Sequence, residues 1–358
     1  MTQHSAPTAP SSTTDSPLLS GLRLERARAS RLFGADGRFH NPSGLGPQLQ
    51  GPSWPVMRDF LFGGQRRRPD QALPVESPRD VWTRPVDSGL RMTWLGHSTV
   101  LIELDGLRVL TDPVFGERVS PVSFSGPKRF HRTPVTLAQL PPLDAVLLSH
   151  DHYDHLCAAS MRQIAKLRVP VITSLGVGAR LEALGVAPDC VVELDWWEHY
   201  TLPGGELRFT ATPAQHFSGR SLLDRNRTLW ASWVMTTANR NVFFSGDTGL
   251  TDEFLEIGRR FGPFDVVMVE IGAFHPSWGS IHLGPENALR ACEMLRGEAL
   301  FPVHWSTFDL ALHAWDEPAE TLVTLAAASG QRVLTPRLGR PFELPHVERV
   351  DPWWRALR

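Results

Sequence analysis

The sequence predicts an α+β protein of four layers, an αββα sandwich in which two β-sheets pack together and helices cover the outer face of each. Hairpin-like strands come first, strands mixed with helices follow, and this order occurs in two successive halves of the chain. The length of 358 residues could hold one large domain or two ordinary ones, and a hydrophobic content of 42% is ample for a large core. An irregular N-terminal extension is expected before the sandwich.

The first half of the sandwich begins near Leu90, where short apolar segments alternate with turn residues. Short apolar or β-branched runs predict strands, and Asp105-Gly106 predicts a tight hairpin turn. The predicted elements are strands Met92–Leu95, Thr99–Leu104, Leu107–Leu110 and Ala145–Leu148, helix Cys157–Lys166, strand Val169–Thr173, helix Val177–Leu184 and a strand near Val191–Leu194.

The second half continues with strands and then alternates strands with helices. Its helices are predicted from longer segments in which apolar residues recur at helical spacing. The predicted elements are strands near Glu206–Ala211, Leu229–Thr236 and Asn241–Ser245, helix Thr251–Arg260, strand Val266–Glu270, helix Pro285–Leu295 and strand Leu300–Val303.

The N-terminal region differs in composition from the rest of the chain. Residues 1–20 form a tail that is rich in Ser, Thr and Pro and is expected to be disordered, because it cannot bury a core. Residues 21–88 are expected to form an extension that packs on the main domain, residues 89–358. Within the extension, Leu22–Phe33 predicts a short basic helix.

The extension also combines basic and aromatic residues. Arg66-Arg67-Arg68 accompanies Trp54, Phe60 and Phe62. This mixture suits a lipid interface, so peripheral membrane contact is one hypothesis. The alternative is that the Leu22–Phe33 helix is simply exposed to solvent and that the rest of the extension packs on the main domain without contacting lipid.

Overall charge and cysteine usage exclude some classes of partner. The net charge is −2, from 36 basic and 38 acidic residues, so no nucleic-acid partner is expected. The three cysteines are far apart, form no CxxC pair and fit a reducing compartment. With neither a secretory signal nor a membrane-spanning apolar run, the sequence predicts a cytoplasmic protein.

The segment from His150 to His155 contains three histidines and two aspartates in the pattern HxHxDH. Imidazole and carboxylate groups suit zinc and similar first-row metals. The segment follows an apolar run that predicts a buried strand, and a strand end is a rigid place for a metal site. The alternative, a polar turn with surface histidines, explains the density of ligand types poorly.

Three further predicted strands deliver one histidine or aspartate each into a loop. These residues are His216, Asp247 and His304. A single histidine at a strand end is more often structural than a ligand. Three such ends in a chain that also carries HxHxDH favour a metal site with ligands from several loops.

These residues together resemble the metallo-β-lactamase superfamily over about Leu90 to Pro341. The resemblance implies the αββα fold with a dinuclear centre between the sheet edges. It implies that a bridging hydroxide attacks the substrate, that Asp154 could pass a proton, and that the metals are zinc, with iron or manganese also compatible with the ligands. The implied ligands are His150, His152 and His216 for the first metal, Asp154, His155 and His304 for the second, and Asp247 for both.

Two other residues resemble second-shell groups, which orient metal ligands without binding the metal. Asp112, in Thr111-Asp112-Pro113, resembles a carboxylate that orients a ligand histidine, and a plain turn aspartate before proline is an equal alternative. His97, in a Gly-His-Ser turn, could act in the same way.

Local motifs also resemble the N-acylphosphatidylethanolamine-hydrolysing phospholipase D group and its bacterial relatives. The motifs are Trp94-Leu95-Gly96-His97-Ser98, His152-Tyr153-Asp154-His155-Leu156 and Ile281-His282-Leu283-Gly284-Pro285-Glu286. The resemblance implies a phosphodiesterase that releases phosphatidic acid and an N-acylethanolamine, and a homodimer. It implies that His282 contacts phosphate or the transition state, while Trp305, beside His304, is a candidate wall of the substrate site.

Other functions remain open at this point. A lactonase or a small carboxylic or phosphate ester hydrolase would use the same fold. A metal-binding protein without turnover is a further alternative, although all seven ligand positions are filled. The true substrate and the identity of the metal are not determined by the sequence.

Overall fold

Two mixed β-sheets of seven strands each form the centre of the molecule. The computed structural model describes residues 19–45, 63–122, 124–221, 223–346 and 350–358, together with residues 54, 56, 58 and 62. The strand order is β14-β1-β2-β3-β4-β5-β6 in the first sheet and β13-β12-β11-β10-β9-β8-β7 in the second. The bounds are β1 Leu90–Gly96, β2 Thr99–Leu104, β3 Leu107–Thr111, β4 Ala145–Leu147, β5 Val171–Ser174, β6 Val191–Leu194, β7 His199–Thr201, β8 Arg208–Thr212, β9 Ser232–Thr236, β10 Asn241–Phe244, β11 Phe264–Glu270, β12 Gly297–Val303, β13 Arg332–Val333 and β14 Pro341–Glu343.

Helices lie along the chain between these strands and before them. The contacts made by two helices show how the outer layers are arranged: Gly178–Ala183 packs on β6, whereas Gly284–Met294 packs on β11 and β12. The α-helices are α1 Gly21–Ala29, α2 Arg79–Trp82, α3 Ala158–Ile164, α4 Gly178–Ala183, α5 Glu253–Phe261, α6 Gly284–Met294 and α7 Glu317–Ser329.

Alternating side chains of the first sheet enter two different hydrophobic cores. Ile102 and Val109 belong to a large core that also contains Phe243 from the second sheet. Leu101 and Leu110 belong to a second core, which they share with side chains of α3 and α4. Because successive strand residues point to opposite faces, this division places one core between the sheets and one beneath the outer helices. The predicted αββα sandwich is confirmed.

Most of the predicted strands and helices are present with small changes in their bounds. The hairpin at Asp105-Gly106 joins β2 to antiparallel β3, and both turn residues have positive φ values, +46° and +88°. The predicted helix over Leu22–Phe33 is too long. It ends at Ala29 because Ser30 is extended, with φ −72° and ψ 133°.

Four elements near the ends of the sheets were not predicted, β7, β13, β14 and α7. Strand β14 has three residues and begins with proline, so its local sequence carries little strand signal. It pairs with β1 through Met92 and Phe342. This contact between distant parts of the chain completes the first sheet.

The N-terminal extension is attached to the sandwich at several points. On α1, Arg23 forms ion pairs with Glu182 and Glu193. Farther along, Arg68 pairs with Asp309 at 3.1 Å. Of the predicted disordered tail, residues 1–20, residues 1–18 lie outside the described residues, whereas Leu19 is described and buried in the large core. Within the described part of the chain, none of the helices combines the length and apolar character needed to cross a bilayer.

Candidate metal centre

Four strands end beside one another and carry the predicted ligands into a common site. The HxHxDH segment follows β4, His216 follows β8, Asp247 follows β10 and His304 follows β12. Gly246 allows two of these loops to meet. Its φ is +54°, and a Cβ atom there would lie only 2.5 Å from Ser149 Cβ, so a larger residue would push the loops apart.

His150, His152 and His216 form one side of the site. His152 Nδ1 lies 2.8 Å from His150 Nε2 and 3.3 Å from His216 Nε2. His216 Nδ1 lies 3.0 Å from the carbonyl oxygen of Ile281 and must donate to it. In the neutral ring this leaves the Nε2 lone pair free to face the cluster.

Asp154, His155 and His304 form the other side of the site, and Asp247 lies between the two sides. His304 Nε2 is 3.2 Å from one oxygen of Asp154 and 3.2 Å from Asp247 Oδ2. The same Asp247 oxygen lies 3.1 Å from His155 Nε2 and 3.7 Å from His216 Nε2. One carboxylate oxygen is therefore close to imidazoles of both groups.

Burial and neighbouring charges shift the pKa values of this cluster in opposite directions. Burial lowers the pKa values of His150 and His216 well below the usual range. Burial would raise the pKa values of Asp154 and Asp247, but the surrounding imidazoles lower them by more. Burial lowers the pKa of His304, but Asp247 and Asp154 raise it by more, to about 10. These directions favour neutral imidazoles at His150 and His216 and ionised carboxylates, the forms that bind metal, whereas the carboxylates around His155 and His304 raise the pKa values of those two histidines.

Three buried side-chain atoms of the cluster have no hydrogen-bond partner. These atoms are His155 Nε2, His304 Nδ1 and Asp247 Oδ1. An unpaired buried donor or acceptor is costly, so its presence among ligand-type side chains fits a cation at this position. Among the described residues, the side chains also form three groups of four, each with one ligand atom per residue within 4.8 Å of the others. These groups are His97, Asp154, His155 and His304; His150, His152, His216 and Asp247; and Asp247, Glu270, His282 and His304.

Asp112 is buried behind His155. Asp112 Oδ2 lies 2.6 Å from His155 Nδ1 and accepts a hydrogen bond from Ser149 Oγ at 2.7 Å. Its other oxygen accepts the Ser149 backbone N–H. These contacts hold the ring of His155 with Nε2 toward Asp247, which is the arrangement expected of an orienting carboxylate.

His97 approaches the same side of the cluster from the first sheet. His97 Nε2 lies 3.1 Å from Asp154 Oδ2, and the side chain is almost completely buried. Burial lowers the pKa of His97 to about 3. A neutral His97 can donate one hydrogen bond to the ionised carboxylate of Asp154.

Replacing Asp112 by asparagine is expected to weaken metal binding about 10- to 100-fold with little change in overall fold. The amide keeps the shape of the carboxylate but loses the charge that orients His155. Competition with a chelator would measure the affinity. Asp189→Asn, at an exposed position paired with Arg168, is the matched control and should bind metal like the wild type. Equal affinity in D112N and wild type would contradict the orienting role.

His282 and Glu270 form a buried pair next to the cluster. His282 Nδ1 lies 2.8 Å from Glu270 Oε2. Glu270 Oε1 accepts backbone N–H groups from Thr248 and Leu283, each adjacent to a predicted site residue. Burial lowers the pKa of His282, but Glu270 raises it by more. Sequence reasoning did not select Glu270, although its position at the end of apolar β11 is the signal that identified the other ligands.

A cavity of about 220 Å³ opens beside the cluster. The wall formed by the cluster carries histidines and aspartates, including His282, and the other wall is apolar. None of the described side chains that line it is arginine or lysine. The apolar residues are Phe217, Ala273, Trp278, Ile281 and Leu310.

Trp305 does not line this cavity, and the prediction that it contacts substrate is corrected. Its side chain is 3% exposed and stacks on Trp94 with ring centroids 5.2 Å apart. The backbone of His304 has φ +64°, and the chain turns there so that the histidine faces the cluster while the tryptophan enters the core.

Comparison with known proteins places these features in a family. A model of the beta-lactamase superfamily domain matches residues 107–305. An uncharacterised protein of Mycobacterium tuberculosis is 45% identical over 80% of this chain and 77% of its own length. N-acyl-phosphatidylethanolamine-hydrolyzing phospholipase D 1 of Caenorhabditis elegans is 38% identical over 88% of this chain and 92% of that protein. An isothiocyanate hydrolase from Delia radicum gut bacteria has the same fold, with a TM-score of 0.56, 21% identity, and coverage of 71% of this chain and 98% of that one.

Proposed function

This chain belongs to the beta-lactamase superfamily of metal-dependent hydrolases, and we propose that it is a dinuclear zinc phosphodiesterase acting on N-acylated phosphatidylethanolamine. Water would be consumed and the phosphorus–oxygen bond to the ethanolamine would break, giving phosphatidic acid and an N-acylethanolamine. The observation that carries the proposal is the Asp247 carboxylate shared between two ligand groups beside His282. The similarity to the nematode phospholipase supports the choice of substrate.

The ligand assignment is part of the proposal. We assign His150, His152 and His216 to one metal and Asp154, His155 and His304 to the other, with Asp247 between them. When bound, two divalent cations supply an activated water near neutral pH and stabilise the charge that develops on phosphate. Their donors are nitrogen and carboxylate oxygen only, a set that suits zinc and also accommodates iron or manganese.

The remaining side chains would orient the substrate. His282 keeps Nδ1 on Glu270, so Nε2 is the nitrogen available to a phosphate oxygen in the cavity. Asp154, which lines the cavity, is the candidate to accept a proton from the attacking water or to pass one to the leaving group. The absence of arginine and lysine among the described lining residues makes His282 the main cationic or hydrogen-bonding side chain for phosphate there.

Replacing His282 by alanine is expected to lower kcat by about 100-fold or more while both metals stay bound. The reason is that His282 would contact charge on the substrate and is absent from the assigned ligands. The measurement combines initial rates on bis-p-nitrophenyl phosphate with metal content. A loss of metal in H282A would instead indicate a ligand role, and an unchanged kcat would contradict any role in the reaction. Exposed His40, which pairs with Asp36, provides the control H40A.

The size of the cavity favours a second candidate, a lactonase or small-ester hydrolase. A volume of about 220 Å³ is below that of typical drug-sized pockets, which run from about 300 to 1,000 Å³. A phospholipid would fit only with its acyl chains outside, beyond the apolar wall of Phe217, Trp278 and Leu310. A lactone would fit entirely.

The deciding experiment measures metal content and compares hydrolysis of bis-p-nitrophenyl phosphate with hydrolysis of a lactone panel. Two zinc ions per chain and phosphodiesterase turnover would support the first candidate, and release of an N-acylethanolamine from the N-acylated phospholipid would identify the substrate. Two metals with lactone turnover alone would select the second candidate. Fewer than one metal and no turnover would overturn both and favour a protein without catalysis.

We further propose peripheral membrane contact through the extension, where the side chains of Trp54 and Phe62 are 68% and 75% exposed and Arg66-Arg67-Arg68 follows a few positions later in the sequence. Sedimentation with anionic liposomes at low salt should recover the protein with the vesicles, and a protein left in the supernatant would exclude this contact.

A homodimer and a cytoplasmic location complete the proposal. The homodimer is supported by the resemblance to the phospholipase D group. The cytoplasmic location is supported by the three free, buried cysteines, which fit a reducing compartment.

A further inference from the structure

One side chain of the N-terminal extension reaches the backbone of an assigned metal ligand. Asn41 Nδ2 donates to the carbonyl oxygen of His216 at 2.8 Å and to that of Leu45 at 2.7 Å. Its Oδ1 accepts the indole N–H of Trp230 at 3.2 Å. The residue is 8% exposed. Because both ends of the amide are engaged, its orientation is determined by these three partners.

Ser43 makes a second link, to the residue before His216. Ser43 Oγ donates to Gln215 Oε1 at 2.9 Å. Gln215 in turn donates from Nε2 to the Ser280 carbonyl at 2.8 Å and from its backbone N–H to Thr248 Oγ1 at 2.9 Å. Through Gln215, the extension is therefore connected to the loop after Asp247 and to the loop before His282.

The backbone at His216 needs such support because it lies beyond the sheet. Strand β8 ends at Thr212, and beyond it an isolated bridge, in which the Gly249 N–H donates to the Gln215 carbonyl at 2.8 Å, holds the residue before His216. Its ring is held at Nδ1 by the Ile281 carbonyl, and its backbone carbonyl is held by Asn41. A metal ligand must be placed within about 0.5 Å of its working position, so both anchors matter.

We infer that Asn41 is a positioning residue of the metal centre, assisted by Ser43, and that the N-terminal extension is a working part of the site. Asn41 holds the His216 backbone so that Nε2 faces His152 and Asp247. The inference rests on the proposed function, since it requires that His216 binds a metal. It goes beyond that function by giving the extension a role in assembling the centre.

The test compares Asn41→Ala with a matched asparagine far from the cluster. Asn241 also uses its whole amide. Its Nδ2 donates to the carbonyl oxygens of Phe261 and Pro263, and its Oδ1 accepts Thr236 Oγ1. It lies at the start of β10, whereas Asp247 follows the end of that strand. The metal affinity of each folded variant would be measured by competition with a chelator, and folding by circular dichroism and thermal unfolding.

N41A is expected to bind zinc at least about tenfold more weakly than the wild type, as for other groups that orient ligands. N241A should lose thermal stability but keep the wild-type metal affinity. Equal affinity in N41A and the wild type would overturn the inference while leaving the proposed function intact. If the wild type binds no metal, the proposed function fails first, and the inference fails with it.

If N41A does not fold, Ser43→Ala provides the test of the inference. It removes one hydroxyl from an exposed residue and leaves Asn41 unchanged, so the variant should fold. A severalfold weaker affinity for zinc in S43A would support the inference, and wild-type affinity would overturn it.

Discussion

Asp247→Asn is expected to remove nearly all hydrolysis and at least one metal per chain. Asp247 Oδ2 lies within 3.9 Å of imidazole nitrogens from both ligand groups, including His150 and His304. The neutral amide cannot supply the negative charge that brings two cations together, so the dinuclear arrangement should be lost. Because replacing orienting groups already costs about 10- to 100-fold, the loss from a shared ligand should exceed about 100-fold.

The measurement for D247N is metal content together with the initial rate on bis-p-nitrophenyl phosphate. Asp252→Asn is the matched control. Asp252 lies five positions after Asp247 in the sequence, its side chain is exposed, and it does not line the cavity beside the cluster. D252N should keep both metals and the full rate. Retention of two metals and normal turnover by D247N would refute the bridging role and, with it, the assigned geometry of the centre.

Glu103→Ala is expected to destabilise the protein strongly. Arg91 and Glu103 are each 2% exposed, and Arg91 donates to the Glu103 carboxylate from Nε and from Nη2, the latter at 2.8 Å. Removing one partner of a buried ion pair leaves the other charge uncompensated, at a cost of about 3–5 kcal/mol. Here Arg91 would retain only carbonyl partners, Arg84 and Pro85, and a distant Glu343.

Thermal unfolding would measure this effect as a fall of several degrees in the midpoint. The double variant R91M/E103L should recover much of the loss, because two apolar side chains leave no buried charge. Disruption of the exposed Glu256–Arg259 pair on α5 by Glu256→Ala should barely move the midpoint. An E103A protein as stable as the wild type would contradict the prediction.

In E103A, stability should fall while catalytic activity is retained. Arg91 lies near the start of β1, whereas His97 follows the end of that strand, about 17–20 Å away at the usual rise of an extended chain. Folded E103A should therefore retain wild-type metal content and kcat at low temperature. A specific loss of metal would show that the ion pair supports the site directly.

The sequence alone was sufficient for the fold class, and it indicated the seven candidate ligands that the structure brings together, although not Glu270. Strand and helix periods are local properties, so β2, β3, β11 and α6 could be predicted from short windows. The ligand candidates could be selected because each follows an apolar strand. In an αββα sandwich the ends of such strands meet at one edge, which predicts that His216 and Asp247 lie together.

Other features were decided only by the tertiary structure, because they depend on contacts between distant parts of the chain. Trp305 follows a site histidine, yet a positive φ at His304 turns its indole into the core. Glu270 gains its role from pairing with His282, and Asn41 from reaching His216 across 175 positions of sequence. Periodicity and residue type determine which side chains are available for a site. Packing of the loops and the extension determines which of them meet, because a hydrogen bond depends on distance and direction in space rather than on spacing along the chain.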